Sequence, residues 1–528
     1  MPTLDWLNRD AAFRSADQVP YRLLQPVSAH GSGDSGNLLV QGDNLEALKA
    51  LLPLYRAQVK CIFIDPPYNT KSAFEHYDDN LEHSQWLSMM LPRLQLLREF
   101  LRPEGSIWVT LDDSEAHYFK VLADEVFGRG CFIADIAWKR RDGAPNDRKI
   151  GPVYDHVFVY SRSVGEGAKT RAEEVFGLMQ RTEKADSQYQ QYEEPFGVDD
   201  RGPFRKVDST GNAKGGRFVE SLMYPVTNPF TGEEVFPRKG RCWVYKREDM
   251  LAMVADHRFF WGKDGKAGTP MRKLFKSEAK PGMSAPTIWD DVGLNQHAAR
   301  EIELLFGEKA SFETPKPETL MQRILQIATH PGDLILDSFL GSGTTAAVAH
   351  KMGRRWIGIE MGDHAATHCL PRLEKVIQGE QGGISAAVNW QGGGGFRFMR
   401  LGEPVFDANG RINPEVRFAA LAAFVWQQET RSAYNAPAPG AVPGTPLIGV
   451  FEGMAIYLLY NGILGDRRPE GGNVLTLAVL QALKAIPVEG NTRAGAKVVY
   501  GEACRLGAPR LAAEGIVFRQ IPYELAAR

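Results

Sequence analysis

The hydrophobic pattern of the first third of the chain alternates short apolar runs with longer helical stretches. Val59-Lys60-Cys61-Ile62-Phe63-Ile64 is almost continuously apolar and bounded by polar residues, which predicts a buried strand. Leu87 to Leu101 repeats its apolar positions at helical spacing, and Arg102-Pro103-Glu104-Gly105 reads as the stop. Ser106 to Leu111 predicts another strand, Glu115 to Phe127 another helix, and Val153 to Tyr160 a strand returning to the same sheet. Downstream, Leu334-Ile335-Leu336-Asp337 predicts a buried strand. A glycine turn and a small-residue helix through Ala346-Ala347-Val348-Ala349 follow, then a strand at Trp356-Ile357-Gly358-Ile359 that ends at Glu360. Strands alternating with helices predict a parallel α/β sheet wound on both faces.

Two polar insertions interrupt the pattern at strand ends, where open α/β sheets bind ligands. The first is Asp65-Pro66-Pro67-Tyr68. Two prolines stiffen the turn and remove two N–H donors. Their carbonyls then stand as fixed acceptors beside a carboxylate, with Tyr68 as a flat wall. An acceptor-rich corner with a stacking ring suits an exocyclic amino group on a planar base; an ordinary strand-ending turn is the simpler alternative. The second is Ser338-Phe339-Leu340-Gly341-Ser342-Gly343-Thr344-Thr345. Glycines there let a ligand approach the helix N-terminus. Glu360, at the end of the next strand, is placed to accept hydrogen bonds from a ribose diol. A P-loop needs Lys before the Ser/Thr, and Gly343 is followed by Thr344. By spacing alone a dinucleotide site stays open, with Ala346 in the third glycine position.

Taken together, the two motifs resemble the permuted, S-adenosylmethionine-dependent amino-methyltransferases of DNA, in which the catalytic motif precedes the cofactor motif. Asp65-Pro66-Pro67-Tyr68 is similar to the family's catalytic tetrapeptide, and Phe339-Leu340-Gly341-Ser342-Gly343 to its cofactor loop. Gly42-Asp43-Asn44-Leu45-Glu46-Ala47-Leu48, Asn69-Thr70 and Thr314-Pro315-Lys316-Pro317 also match. So do His83-Ser84-Gln85-Trp86-Leu87 and Asp112-Asp113-Ser114-Glu115, which look most like modification subunits of type III restriction systems. The resemblance spans roughly residues 37–160 and 285–365, loosens over 200–285 and is absent from the last stretch.

The resemblance implies a Rossmann-like methyltransferase core with Asp65, Pro66, Pro67 and Tyr68 as catalytic residues. It implies a donor site formed by Asp43, Asn44, Lys316, Asp337, Phe339, Gly341, Ser342, Gly343, Thr344 and Glu360, with Lys316 near the methionine moiety and Asp43 near the adenine. An initial Asp, rather than Ser, is usual in this family for N6-adenine; N4-cytosine methylation and a DNA-binding or assembly subunit without activity are the alternatives. It further implies duplex DNA as substrate, a flipped base, a homodimer and a restriction subunit as partner.

Composition changes the picture only locally. The 528-residue chain has a net charge of −2, so no global basic field points to DNA. Residues 139–280, however, carry 27 Lys and Arg against 21 Asp and Glu, and aromatics interleave with them. Lys139, Arg140, Arg141, Arg238, Lys239 and Arg241 are the candidate DNA contacts there. Five scattered cysteines without a CxxC pair predict neither a disulfide framework nor a metal site. The chain shows no signal-peptide form and no apolar run of membrane-spanning length, so a cytoplasmic protein is expected.

The expected organisation is a flexible lead-in at 1–36, a catalytic half at 37–138, an inserted target-recognition region at 139–285, a cofactor half at 286–378 and a small C-terminal α/β domain at 385–528. In that last domain, helices are predicted near 415–428 and 474–485, and strands near 447–460, 497–501 and 515–519.

Overall fold

The computed structural model describes residues 3–32, 35–69, 82–146, 149–163, 175–212, 219–307, 312, 314–407, 409–435, 440–465, 473–488, 496–522 and 525. They divide into two compact units, one of residues 1–177 and 286–528 and the other of 178–285.

In the larger unit the elements run in order from helix α1 (Arg9–Gln18), strand β1 (Arg22–Gly31), β2 (Leu38–Gln41), α2 (Asn44–Tyr55) and β3 (Val59–Ile64). They continue through α3 (His83–Phe100), β4 (Leu101–Leu111), α4 (Ala116–Ala123), β5 (Phe132–Lys139) and β6 (Tyr154–Ser161). After the second unit come β7 (Ile288–Trp289), α5 (Asn295–Phe306), α6 (Glu318–Ala328), β8 (Leu334–Asp337), α7 (Thr344–Lys351), β9 (Arg355–Glu360), α8 (Leu370–Ile377) and β10 (Gly395–Pro404). The last elements are α9 (Phe418–Thr430), β11 (Leu447–Phe451), β12 (Met454–Leu458), α10 (Leu477–Ala485), β13 (Lys497–Gly501) and β14 (Ile516–Gln520).

Ten strands form one sheet in the order β1-β10-β2-β9-β8-β3-β4-β6-β5-β7. The block from β10 to β4 is parallel throughout. Every residue of β3 and of β8 is buried, as continuous apolar runs in a covered parallel sheet require. The chain steps one way along the sheet through α2 and α3, and the opposite way through α7 and α8. Right-handed crossovers therefore put those two helix pairs on opposite faces. This is the doubly wound α/β fold expected from the sequence. The order reverses between β3 and β8, which opens a crevice at their C-terminal ends.

Three expectations differ from what is seen. Residues 1–36, expected as a flexible lead-in, contain α1 and β1. Ala12 and Ala16 of α1 are buried, and β1 pairs antiparallel with β10. Gly31 sits at φ 65°, and a Cβ there would lie 2.2 Å from the Gly394 carbonyl oxygen, so the glycines at this junction permit the pairing. The C-terminal domain, expected from residue 385, first contributes β10 to the main sheet. The smaller unit begins at Leu178, not at 139, because β5 and β6 complete the sheet first.

The C-terminal part carries its own four-stranded sheet, β11-β12-β13-β14, close to the predicted positions. The smaller unit is built of short antiparallel ribbons and a helix, Arg247–Ala255, around Tyr224, Val226, Trp243, Met250, Phe259 and Trp261. Among the described residues no helix is long and apolar enough to cross a membrane.

Candidate active site

β3 pairs with β8 in the register Cys61↔Ile335 and Ile62↔Leu336, so Asp65 and Asp337 leave neighbouring strand ends at the crevice. The Asp65 carboxylate is held on both oxygens. The Thr110 hydroxyl on β4 donates to Oδ1 at 2.6 Å, and the Lys316 ammonium pairs with Oδ2. That ammonium also lies 5.1 Å from the centroid of the Tyr68 ring, a cation–π distance. Burial and the Asp65 and Asp155 carboxylates push the Tyr68 phenol well above its usual range, so it stays a donor. Its hydroxyl donates to Asp155 Oδ2 at 3.4 Å.

The turn itself is clamped from below. The Trp86 indole N–H donates to the Pro67 carbonyl at 2.7 Å, so this carbonyl, expected as an open acceptor, is tied to α3. Asn69 follows in the left-handed region at φ 59°, a conformation asparagine tolerates. Its amide donates to Glu115 Oε1 at 2.6 Å, and His83 Nδ1 meets the same oxygen at 2.7 Å. Burial raises the Glu115 carboxyl, while Asn69 and His83 oppose the rise. The Thr70 match lies outside the described residues.

On the cofactor side, Gly341 and Gly343 take φ of 57° and 84°, values that favour glycine. A Cβ on Gly341 would stand 3.3 Å from the Phe312 ring, so the loop is a cradle that only glycine leaves open. Glu360 braces it: Oε2 accepts from the Gly341 N–H at 2.7 Å and Oε1 from the Gly362 N–H at 3.3 Å. Asp337 Oδ1 accepts from the Phe339 N–H at 2.9 Å, and burial pushes its carboxyl up to about 7. Phe339 packs against the main core.

Some expected donor-site residues have other occupations. Asp43 caps α2, accepting from the Leu45 and Glu46 N–H groups, and its second oxygen pairs with Arg93 at 2.9 Å. Asn44 donates to the Ser338 carbonyl at 2.8 Å, which ties α2 to the glycine loop. The Ser342 and Thr344 side chains are buried and face Arg372, whose Nη1 lies 3.4 and 2.8 Å from their hydroxyls. They brace the loop from behind instead of lining its open side. Lys316, expected beside the methionine moiety, is on Asp65.

The basic candidates separate in the same way. Arg140 turns inward to Asp155 at 3.1 Å, and Arg241 is tied to Asp208 and Thr210, because each has a carboxylate within reach. Lys139 pairs with Asp142 at 3.0 Å. Arg141 is exposed, and Arg238 and Lys239 are exposed on the smaller unit. Sequence reasoning missed Trp86, Thr110, Asp155 and Arg372 as parts of the site. Only Trp86 carried a signal, as part of the matching His83-to-Leu87 stretch.

Fold and site together define a Rossmann-like enzyme core in which a carboxylate and a glycine cradle face one crevice. The chain belongs to the DNA methylase family, whose model matches residues 59–369. It is 32% identical over 435 residues to the "Probable type III restriction-modification enzyme HindVI Mod subunit" of Haemophilus influenzae, covering 71% of this chain and 55% of that one. It is 32% identical to the StyLTI Mod subunit of Salmonella typhimurium, over 65% of this chain and 55% of that one. It is 30% identical to the type II methyltransferase M.KpnI of Klebsiella pneumoniae, over 58% of this chain and 75% of that one. The chain thus spans about half the length of the two Mod subunits. Among solved structures, the cytosine-N4-specific PvuII DNA methyltransferase aligns at 16% identity over 67% of this chain and 94% of its own, with a TM-score of 0.34, so family membership rests on sequence.

Proposed function

We propose that this chain is a modification methyltransferase that transfers a methyl group from S-adenosylmethionine to N6 of adenine in duplex DNA. The observation that carries this reading is the Asp65 carboxylate, fixed by Thr110 and Lys316 at a strand end beside the Gly341 cradle. Its relatives among Mod subunits and type II methyltransferases support the substrate and the reaction.

The cradle and the Glu360 carboxylate fit a nucleoside-bearing cofactor: Gly341 keeps the approach open, and Glu360 ends the strand after the loop, where an acid is placed to accept from a ribose diol. Such a donor supplies an electrophilic methyl group. The residues of the chain prepare the nucleophile. The N6 lone pair of adenine is delocalised into the ring, so the amino group attacks poorly. Asp65 accepts one N6 hydrogen and the Pro66 carbonyl accepts the other, which draws the nitrogen towards tetrahedral geometry and localises the pair. No covalent intermediate with the enzyme is needed; positioning and electrostatics carry the rate. Tyr68 stacks on a base turned out of the duplex, since N6 is out of reach inside the stack.

In this reading the unit 178–285 recognises the target sequence, and Arg141, Arg238 and Lys239 are free to meet phosphates. The protein acts in the cytoplasm, as a homodimer, with a restriction subunit as partner. The test is expression in methylation-free cells, followed by mass spectrometry of genomic nucleosides, with Asp65→Ala as control. N6-methyladenine from wild type alone is expected. N4-methylcytosine instead overturns the choice of base, and equal methylation by Asp65→Ala overturns the mechanism.

A further inference from the structure

Asp155 has no role in the chemistry above, yet it is only 1% exposed at the edge of the catalytic corner. It is the second residue of β6, opposite Trp138 of β5. A carboxylate that deep is costly unless paired. Among the described residues, Oδ1 faces Arg140 Nε at 3.1 Å, and Oδ2 accepts from the Tyr68 hydroxyl at 3.4 Å. The backbone of Arg140 is held at both of its polar groups. Its N–H donates to the Val153 carbonyl at 2.9 Å, and its carbonyl accepts from the Asn295 N–H at 3.0 Å. Burial pushes the Asp155 carboxyl up to about 7, with Arg140 and Lys316 pulling it down and Asp112 and Asp65 pushing it further up. Among the described residues, the side chain at the reacting corner that Asp155 meets by a hydrogen bond is Tyr68, the ring expected to receive the base.

We infer that Asp155, anchored by Arg140, is the positioning residue for Tyr68: it holds the hydroxyl end of the ring on which the target base stacks. The inference rests on the proposed function for its consequence, though not for its geometry. A phenol ring held only by packing can swing about its Cα–Cβ bond. A hydroxyl bonded to a fixed carboxylate restrains that swing before the base arrives, which is the kind of positioning on which transfer rates depend. Arg140, expected among the DNA contacts, serves as the anchor instead.

The experiment has two readouts on the full chain. First, 3-fluorotyrosine is placed at position 68 and followed by fluorine NMR. Asp155→Ala is expected to shift and broaden the resonance. Arg140→Gln, which keeps the carboxylate, is expected to do so to a smaller degree and serves if Asp155→Ala does not fold. An unmoved resonance in the folded variants overturns the inference. Second, methyl transfer is measured for Asp155→Ala, Tyr68→Phe and the double variant. Asp155→Ala is expected to lower kcat by about tenfold or more with the donor KM unchanged, since a small misplacement can cost up to about 10²-fold. It should add less than about twofold in the Tyr68→Phe background, because both changes remove one interaction. Independent, multiplying losses overturn the inference. If wild type transfers no methyl group to DNA, the proposed function falls, and the fluorine resonance still decides whether Asp155 holds Tyr68.

Discussion

The two strand ends that face the crevice handle charge in opposite ways. Behind the cofactor loop the charges are sealed. Glu318 accepts from Arg372 Nη2 at 2.8 Å, from Lys351 at 3.0 and 2.8 Å and from the Ile384 N–H at 3.0 Å. Glu318 and Arg372 are each 1% exposed. Burial alone would raise the Glu318 carboxyl, but Arg372 and Lys351 outweigh it and hold it below its usual value. Arg372 then reaches Thr344 and the Ser342 carbonyl, so the network fixes the rear of the loop. At the catalytic corner the Asp65–Lys316 pair is only part-buried, with side chains 19% exposed at Asp65 and 10% at Lys316. A pair near solvent can exchange partners at little cost, whereas a sealed one cannot. One strand end is built to stay put for a cofactor, and the other to let an amino group in.

The largest expected effect comes from breaking the sealed side. Arg372→Met leaves Glu318 facing Lys351 alone and should cost about 3–5 kcal/mol of stability, the range for removing one partner of a buried pair. Urea unfolding measures it; a loss under about 1 kcal/mol would mean the network is not sealed. Asp65→Asn tests the other side. The amide still accepts from Thr110, so the fold should hold within about 1 kcal/mol. Activity should fall by about 10²–10³-fold in kcat/KM, the scale for losing one well-placed electrostatic contact. A variant with near wild-type turnover would mean that Asp65 does not handle the amino group.

The contrast also explains what could be read from the sequence. The strands, the glycine turn and Asp65 were legible because each is local: a short apolar run, a residue type that tolerates positive φ, a polar break at a strand end. The network was not. Glu318 and Arg372 are 54 residues apart; each looks like an ordinary charged helix position, and only the packing of α6, α7 and α8 seals them. Arg140 was misread for the same reason, since a run of three basic residues reads as a phosphate surface until Asp155 comes across from β6. Ser342 and Thr344 matched a motif, but a motif does not say which way a hydroxyl turns. The strand β1 was hidden in a polar segment because its value lies in pairing with β10, far along the chain.

A smaller effect probes the cradle between the two sides. Gly341→Ala forces a side chain to φ 57° and against the Phe312 ring. The left-handed conformation alone costs about 1–2 kcal/mol. The loop can relieve that strain only by moving off Glu360. Donor affinity should therefore fall by roughly tenfold, a change of about 1.4 kcal/mol, read by calorimetry. Binding unchanged from wild type would place the cofactor elsewhere than on this loop.

The smallest effect concerns Asp337, a buried carboxylate at the crevice that accepts from the Phe339 N–H. Burial raises its folded value to about 7 from 3.8. A carboxyl raised in the folded state gives its full contribution to stability below the unfolded value, and that contribution is lost as pH rises through about 7. Asp337→Asn does not titrate and keeps an oxygen for the Phe339 N–H. Between pH 6 and pH 8 wild type should therefore lose stability relative to the variant. The loss should be about 1 kcal/mol, since the folded state holds the proton through the lower half of that interval and the unfolded chain does not. Groups common to both proteins cancel in the difference. Unfolding curves at the two pH values measure it. A difference that stays flat would mean that Asp337 is already ionised at pH 6. The catalytic strand end would then have to supply the missing compensation through Lys316, and the separation between a fixed side and an exchangeable side would fail at this residue.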